Sequence, residues 1–239
     1  MSIYDVLDNY SEIVRIYVYM MSCHSSIIPE YVLIHYPQYN WNFDGFSKNS
    51  NTNIEFIKQN LYKDWDWEYL SKNIKLKDII NNLDLLWNYD FISDNKTINI
   101  EFVKQNIDKK WSWECLSIHI KLEDIINNLD LSWDYACISD NKTINIEFVK
   151  QNLDKNWDWE YLSKNIKLED IINNSKLPWN YNWMSKNETL NLEFVKKNLD
   201  KDWNWYKLSE NIKLEDIINN SKLPWNYNWM SKNETLNIE

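Results

Sequence analysis

Between Trp65 and Leu83 the chain reads WDWEYLSKNIKLKDIINNL, and its apolar positions Leu76, Ile79, Ile80 and Leu83 fall at i, i+3, i+4 and i+7. That spacing predicts one face of an amphipathic helix. Just before it, Trp65, Trp67 and Leu70 mark a second apolar face, which stops at Ser71-Lys72-Asn73. The stretch therefore reads as two short helices in succession. It recurs at Trp111, Trp157 and Trp203, each 46 residues on, and a looser version begins at Trp41, Trp87, Trp133, Trp179 and Trp225. Units of 24 and 22 residues thus alternate, and self-similarity at such a period marks a repeat architecture. The pattern predicts an all-α fold, an α-solenoid of short helical hairpins whose 46-residue double repeat is built from alternating 22- and 24-residue units.

The polar positions supply the punctuation. Asparagine tolerates the left-handed conformation that ends many helices, so Asn73, Asn95, Asn141, Asn165, Asn187, Asn211 and Asn233 are expected as C-caps. Asn99, Asn145 and Asn191 can cap helix starts, with Glu101, Glu147 and Glu193 in the first turn where the helix dipole favours negative charge. Ile98 with Val103, and Ile144 with Val149, have the spacing of a hydrophobic staple. Helices of roughly eight to ten residues do not hold alone in water, so they must stack on neighbours. A buried tryptophan covers about 150–250 Å², on the order of 4–6 kcal/mol gross, which makes the tryptophans the material between units. Long units carry Phe56, Phe102, Phe148 and Phe194 where short ones carry Asp78, Asp124, Asp170 and Asp216, and the phenylalanines are expected in inter-unit packing.

Residues 1–27 stand apart. Val6, Tyr10, Ile13, Tyr17 and Met20 form a helical stripe, read as a capping helix followed by a loop that covers the first unit's open face. Residues 28–239 form the tryptophan-rich array, a single continuous domain without linkers. Its first unit is irregular, with Gly45 where later units have Phe91 or Trp183. Its last unit is incomplete: the sequence stops at Glu239, where a second helix is expected to begin. The expectation is a truncation, the alternative being that another chain fills the gap.

The string IEFVKQNLDKNWDWEYLSKN, Ile146 to Asn165, resembles the tryptophan-rich tandem repeats found in many copies in proteins of giant DNA viruses. The match extends from about Ile28 to Glu239. Many family units place proline before the first tryptophan, whereas here only Pro178 and Pro224 do so. The resemblance implies a viral repeat protein and brings no catalytic residue with it.

Composition narrows the function. The chain has 239 residues, 44% of them hydrophobic, with fifteen tryptophans, all inside repeats. A net charge of −10 without a basic patch argues against binding a phosphate backbone, although helical repeats can read single-stranded RNA. Three cysteines make no disulfide framework and fit a reducing compartment. Asp5, Asp8 and Glu12 stand where a secretory signal would be basic and apolar, and no stretch has the uncharged length of a membrane span. A soluble intracellular protein, in host cytoplasm or virion if viral, is the expectation.

Candidate chemistry is sparse. Cys115 and His119 are four apart on one helix, and Cys137 follows Trp133 as Cys115 follows Trp111. Sulfur and imidazole suit zinc, but a fourth ligand is missing and other units fill these positions with Tyr69, Phe91 or Tyr161. Cys23-His24 with His35 lacks an orienting third residue for nucleophilic catalysis. Neither a cofactor nor an enzymatic activity is expected. The leading expectation is a scaffold for protein–protein interaction. Its candidate surface comprises Asp66, Glu68, Asp158, Glu160, Asn204 and Tyr206 between the tryptophans, and Lys104, Gln105, Lys150 and Gln151 on the outward side of the second helix. Alternatives are a structural virus-particle component that self-associates through the open C-terminal unit, and a single-stranded RNA-binding repeat.

Overall fold

The structure, a computed structural model, describes residues 2–233 and 235. The expected start of the last second helix, 236–239, lies outside the described residues. All regular structure among the described residues is helical, in 21 segments of four to seven residues. The chain groups into two compact units, Met1–Ser112 and Trp113–Glu239. The first contains α1 (Ile3–Asn9), α2 (Ser11–Ile16), α3 (Val18–Cys23), α4 (Pro29–His35), α5 (Phe43–Ser47), α6 (Ile54–Gln59), α7 (Trp67–Asn73), α8 (Leu76–Ile80), α9 (Tyr89–Ile92) and α10 (Ile100–Gln105). The second contains α11 (Trp113–His119), α12 (Leu122–Ile126), α13 (Tyr135–Ile138), α14 (Ile146–Gln151), α15 (Trp159–Asn165), α16 (Leu168–Asn173), α17 (Tyr181–Met184), α18 (Leu192–Lys197), α19 (Trp205–Asn211), α20 (Leu214–Asn219) and α21 (Tyr227–Met230). Repeated hairpins of the expected 22- and 24-residue period run through both.

The helices are shorter than expected because asparagine closes each second helix a turn early. At the end of α10 the Asn106 backbone N–H moves to the Val103 carbonyl, 3.2 Å, while its side-chain amide donates to the Phe102 carbonyl at 2.9 Å. Asn60, Asn152, Asn198 and Asn220 repeat the pair of bonds. Among the described residues none has a positive φ, so none of the expected asparagine C-caps is left-handed. Asn73 and Asn165 are the last residues of α7 and α15, while Asn95, Asn141, Asn187 and Asn233 are buried joints between hairpins. The helix starts match expectation: Asn99, Asn145 and Asn191 accept from the N–H groups of Phe102, Phe148 and Phe194. Asn53 does the same for Phe56.

Early termination also changes which residues face the core. Leu76 and Ile79 are buried, whereas Ile80 and Leu83, expected on the same face, are 43% and 48% exposed. The helix ends at Ile80, so the i+7 position never comes round to the buried side.

The joint between hairpins is polar. In the second unit Asn141 donates to the buried carbonyls of Ser117 at 2.9 Å and Ile120 at 2.6 Å, and its Oδ1 accepts from the Thr143 N–H and hydroxyl. The Thr143 oxygen in turn accepts from the Leu122 N–H at 2.9 Å, capping α12, which belongs to the preceding hairpin. Asn187 with Thr189, and Asn233 with Thr235, repeat the arrangement, as Asn95 with Thr97 does in the first unit. Each of these asparagines fills all four of its hydrogen-bond positions, the condition for burying an amide without penalty.

Around these joints lie the aromatic layers. Each unit-heading tryptophan is buried and donates its Nε1 to the carbonyl five residues earlier, as Trp157 does to Asn152 at 2.8 Å. Tyr135 and Phe148 meet Trp157 edge-on at 5.2 and 5.9 Å, and Trp159 meets Trp179 edge-on at 5.3 Å. Such pairs contribute about 0.5–1.5 kcal/mol each beyond burial.

The N-terminal stripe does not form. The backbone breaks at Tyr10 and Tyr17, with φ of −131° and −111°, and each break resets the helical phase. Leu7 and Val14 are buried instead, and Tyr10, Ile13, Tyr17 and Met20 are exposed. The segment is held by the Tyr39 hydroxyl donating to the Leu7 carbonyl at 2.8 Å and Tyr36 donating to Asp8 at 2.9 Å. Ser22 accepts from the Asn42 N–H just as Ser71 accepts from Asn88, so α3 already occupies a first-helix position. A Cβ on Gly45 would lie 2.7 Å from the Ser22 Cβ. The chain's single glycine therefore allows α3 and α5 to approach.

Candidate interaction surface

The candidate residues fall on two sides of the hairpins. Asp66, Asp158 and Asn204 cap α7, α15 and α19. The Asp66 Oδ1 accepts from the Tyr69 N–H at 2.9 Å, and its Oδ2 lies 3.5 Å from the Lys48 ammonium. These three side chains are committed to helix starts. Glu68 and Glu160 are exposed in the first turns of α7 and α15. Tyr206 is exposed, its ring 6.1 Å from that of Trp229.

Lys104, Gln105, Lys150 and Gln151 stand exposed at the ends of α10 and α14, as expected. The structure adds a set of exposed aliphatic side chains, of which Leu83 and Ile80 were expected on a buried helix face. Leu61, Leu83 and Ile107 in the first unit, and Leu129, Leu153 and Leu199 in the second, are 46–52% exposed at one equivalent place, directly after the asparagine that ends each second helix. Three residues before that place stand the exposed Ile80, Ile126, Ile172 and Ile218 of the short hairpins, the last two preceding Ser175 and Ser221 rather than a leucine. The long hairpins carry Lys58, Lys104, Lys150 and Lys196 there. This alternation was the available signal: a place that takes lysine in one hairpin and isoleucine in the next faces water.

Acidic side chains border the aliphatic row, except that Lys176 and Lys222 stand where the other second-unit hairpins carry Asp130, Asp154 and Asp200. In long hairpins they are neutralised locally, with Glu147 3.5 Å from Lys150, Glu193 2.8 Å from Lys197, Asp154 3.4 Å from Lys155 and Asp200 3.0 Å from Lys201. Lysine holds the Glu193 carboxyl below the usual range. In the short hairpins Glu123, Glu169 and Glu215 are exposed and form no ion pair among the described residues. Near one of them a groove of about 440 Å³ opens between Lys167, just before α16, Glu169, Ile172 and Asn173 on α16, and Thr189 and Asn191 before α18, so it carries one charge of each sign.

The other large groove, about 410 Å³, lies on the first-helix side among Lys186, Glu188, Lys207, Glu210 and Lys232. Its cations are already engaged. Lys186 sits 3.6 Å above the Trp183 ring, Lys232 4.0 Å above Trp229, and Lys207 2.8 Å from Glu210. Such a groove has little unbalanced positive charge to offer a phosphate chain.

Cys115, His119 and Cys137 are not brought together as ligands: among the described residues no group of three or more His, Cys, Asp or Glu is placed to hold a metal ion. The Cys137 thiol is pushed up to about 11 by burial and then by the charges of Asp134 and Glu114. It is protonated at neutral pH and poorly suited to ligation or nucleophilic attack. No described helix is long and apolar enough to cross a membrane. Comparison with protein-family models, curated proteins and solved structures finds no match to this chain.

Proposed function

We propose that this all-helical repeat is a non-enzymatic scaffold whose second-helix row binds a protein partner. The observation that carries the reading is the row itself. Apolar side chains about half exposed recur after the second helix in six hairpins, with Ser175 and Ser221 at that place in two others, where Ile172 and Ile218 are the exposed aliphatic residues. Repeat arrays present such equivalent positions as extended binding surfaces. The resemblance of the repeat to those of giant DNA viruses supports placing this scaffold in the host cytoplasm or the virus particle.

A photo-crosslinking residue at position 153, in the row, is compared with one at position 160, on the first-helix side, in infected host cells. The expected result is a discrete protein adduct from 153 that is absent from 160 and disappears when Ile172→Lys is added. Adduct patterns indistinguishable between the two positions would refute the assignment of the surface.

A further inference from the structure

We infer that Cys115 and Cys137 are a modification site: they form a reversible disulfide that staples α11 to α13, by exchange with a low-molecular-weight disulfide. The inference goes beyond the partner surface and does not depend on it. The repeat itself shows which side chains face each other here. The two places that hold Cys115 and Cys137 hold Tyr161 with Trp183, and Lys207 with Trp229, in the hairpins that follow. In those hairpins the side chains pack together. The Tyr161 and Trp183 rings lie 5.3 Å apart, and the Lys207 ammonium sits 4.7 Å above the Trp229 ring.

The backbone beside the cysteines is held as it is in those hairpins. Helix α11 packs on α13. The Ser117 hydroxyl accepts from the Asp134 N–H at 2.9 Å, and Asn141 donates to the Ser117 carbonyl at the same distance. Ser163 with Asn180 and Asn187, and Ser209 with Asn226 and Asn233, repeat both bonds. Two thiols therefore face one another where the following hairpins place longer side chains in contact. Both are half-buried, and Cys115 is among the groups whose charge raises the Cys137 thiol, an effect of near neighbours. Of the chain's three cysteines, two thus occupy one facing pair. Packing alone does not call for this, since two small thiols give up the contact that the rings make.

The exchange proceeds in two displacements. The Cys115 thiol gives its proton to water, and its sulfur attacks one sulfur of the small disulfide, expelling a thiolate that takes up a proton. The Cys137 sulfur, deprotonated in turn, attacks the Cys115 sulfur of the mixed disulfide and expels the second small thiol. Two protein thiols are oxidised to one disulfide, and the small disulfide is reduced to two thiols. Because burial holds Cys137 as the thiol, the first attack falls to Cys115, and proximity compensates for the small thiolate fraction in the second. The bond closes a loop that contains α12 and the Leu122 and Asp134 amides, and a closed loop restricts the opened state.

The test begins with the unsubstituted full chain, equilibrated with oxidised and reduced glutathione at an oxidising and a reducing ratio. Remaining thiols are alkylated and tryptic peptides are mapped. The expected product at the oxidising ratio joins residues 111–121 to residues 122–142 through Cys115 and Cys137, and it is lost at the reducing ratio. Hydrogen exchange at the Leu122 and Asp134 amides should slow at least about tenfold on oxidation. Cys23→Ser should behave in the same way, whereas Cys115→Ser and Cys137→Ser should show neither the joined peptides nor the slowing. Separate glutathione adducts on Cys115 and Cys137 in place of the bond, or a bond to Cys23 or to a second chain, would overturn the inference. A Cys115–Cys137 bond that leaves both amides exchanging at the reduced rate would overturn its role as a staple.

Discussion

Replacing Asn141 by leucine keeps the branched shape of the side chain at the joint between α11 and α13 and removes all its side-chain hydrogen bonds. The Ser117 and Ile120 carbonyls lose donors at 2.9 and 2.6 Å in a buried setting. The Thr143 N–H and hydroxyl lose their acceptor, but Thr143 is exposed and water can replace it. Two buried acceptors left unsatisfied at about 1–3 kcal/mol each give an expected loss of about 2–6 kcal/mol. Repeat arrays need not unfold in one step, so the direct assay is hydrogen exchange at the Leu122 and Asp134 amides. These donate to Thr143 and Ser117 on either side of the joint. At about 1.4 kcal/mol per factor of ten, their exchange should accelerate at least 30-fold, roughly. The control is Asn127→Leu, an exposed position on the same hairpin. Acceleration below about threefold, or no greater than in the control, would refute the view that the buried amide holds neighbouring hairpins together.

Asn141→Asp should be worse than leucine at pH 7 and recover in acid. Burial raises the folded pKa of the carboxyl above its unfolded value of about 4, so its favourable contribution is present at low pH and lost as pH rises. A urea series from pH 3 to pH 7 without that trend would contradict the assigned geometry. Trp157→Phe removes the indole donor to Asn152 and should cost about 1–3 kcal/mol in a urea melt, whereas Trp157→Ala should cost about 3–5 kcal/mol; equal losses would mean that ring packing contributes little. Gly45→Ala puts a Cβ 2.7 Å from the Ser22 Cβ and 3.0 Å from the Tyr19 carbonyl, so a loss of about 1–3 kcal/mol is expected rather than the gain that helix propensity alone would give. Because the Cys137 thiol titrates near 11, its alkylation should keep rising above pH 9. The unfolded thiol ionises first, so this group's stabilisation is full below its unfolded pKa and declines as pH rises. An alkylation plateau near pH 8.5 would show the thiol to be solvated.

Periodicity was enough to determine the architecture. The returning Trp65 pattern identified helical hairpins, their period and the head tryptophans as core, because helix and repeat are local properties written once per unit. Helix starts were equally legible, since an N-cap asparagine acts on an N–H two or three residues away. Local rules failed where the chain turns and where hairpins meet. Asn95 and Asn106 are the same letter, yet one is a buried inter-hairpin joint and the other closes a helix, because the acceptors of Asn95 lie more than twenty residues back in sequence. Ile79 and Ile80 are adjacent and alike, yet only Ile79 is buried. The early helix end, a hydrogen-bond competition at Asn82, left Leu83 off the buried face, while Ile80, still within α8, lies on the exposed side of that helix. Sequence determined what each hairpin is, because the patterning of apolar positions is local. Only the tertiary structure decided which apolar side chains were left for a partner, because burial depends on where distant segments pack.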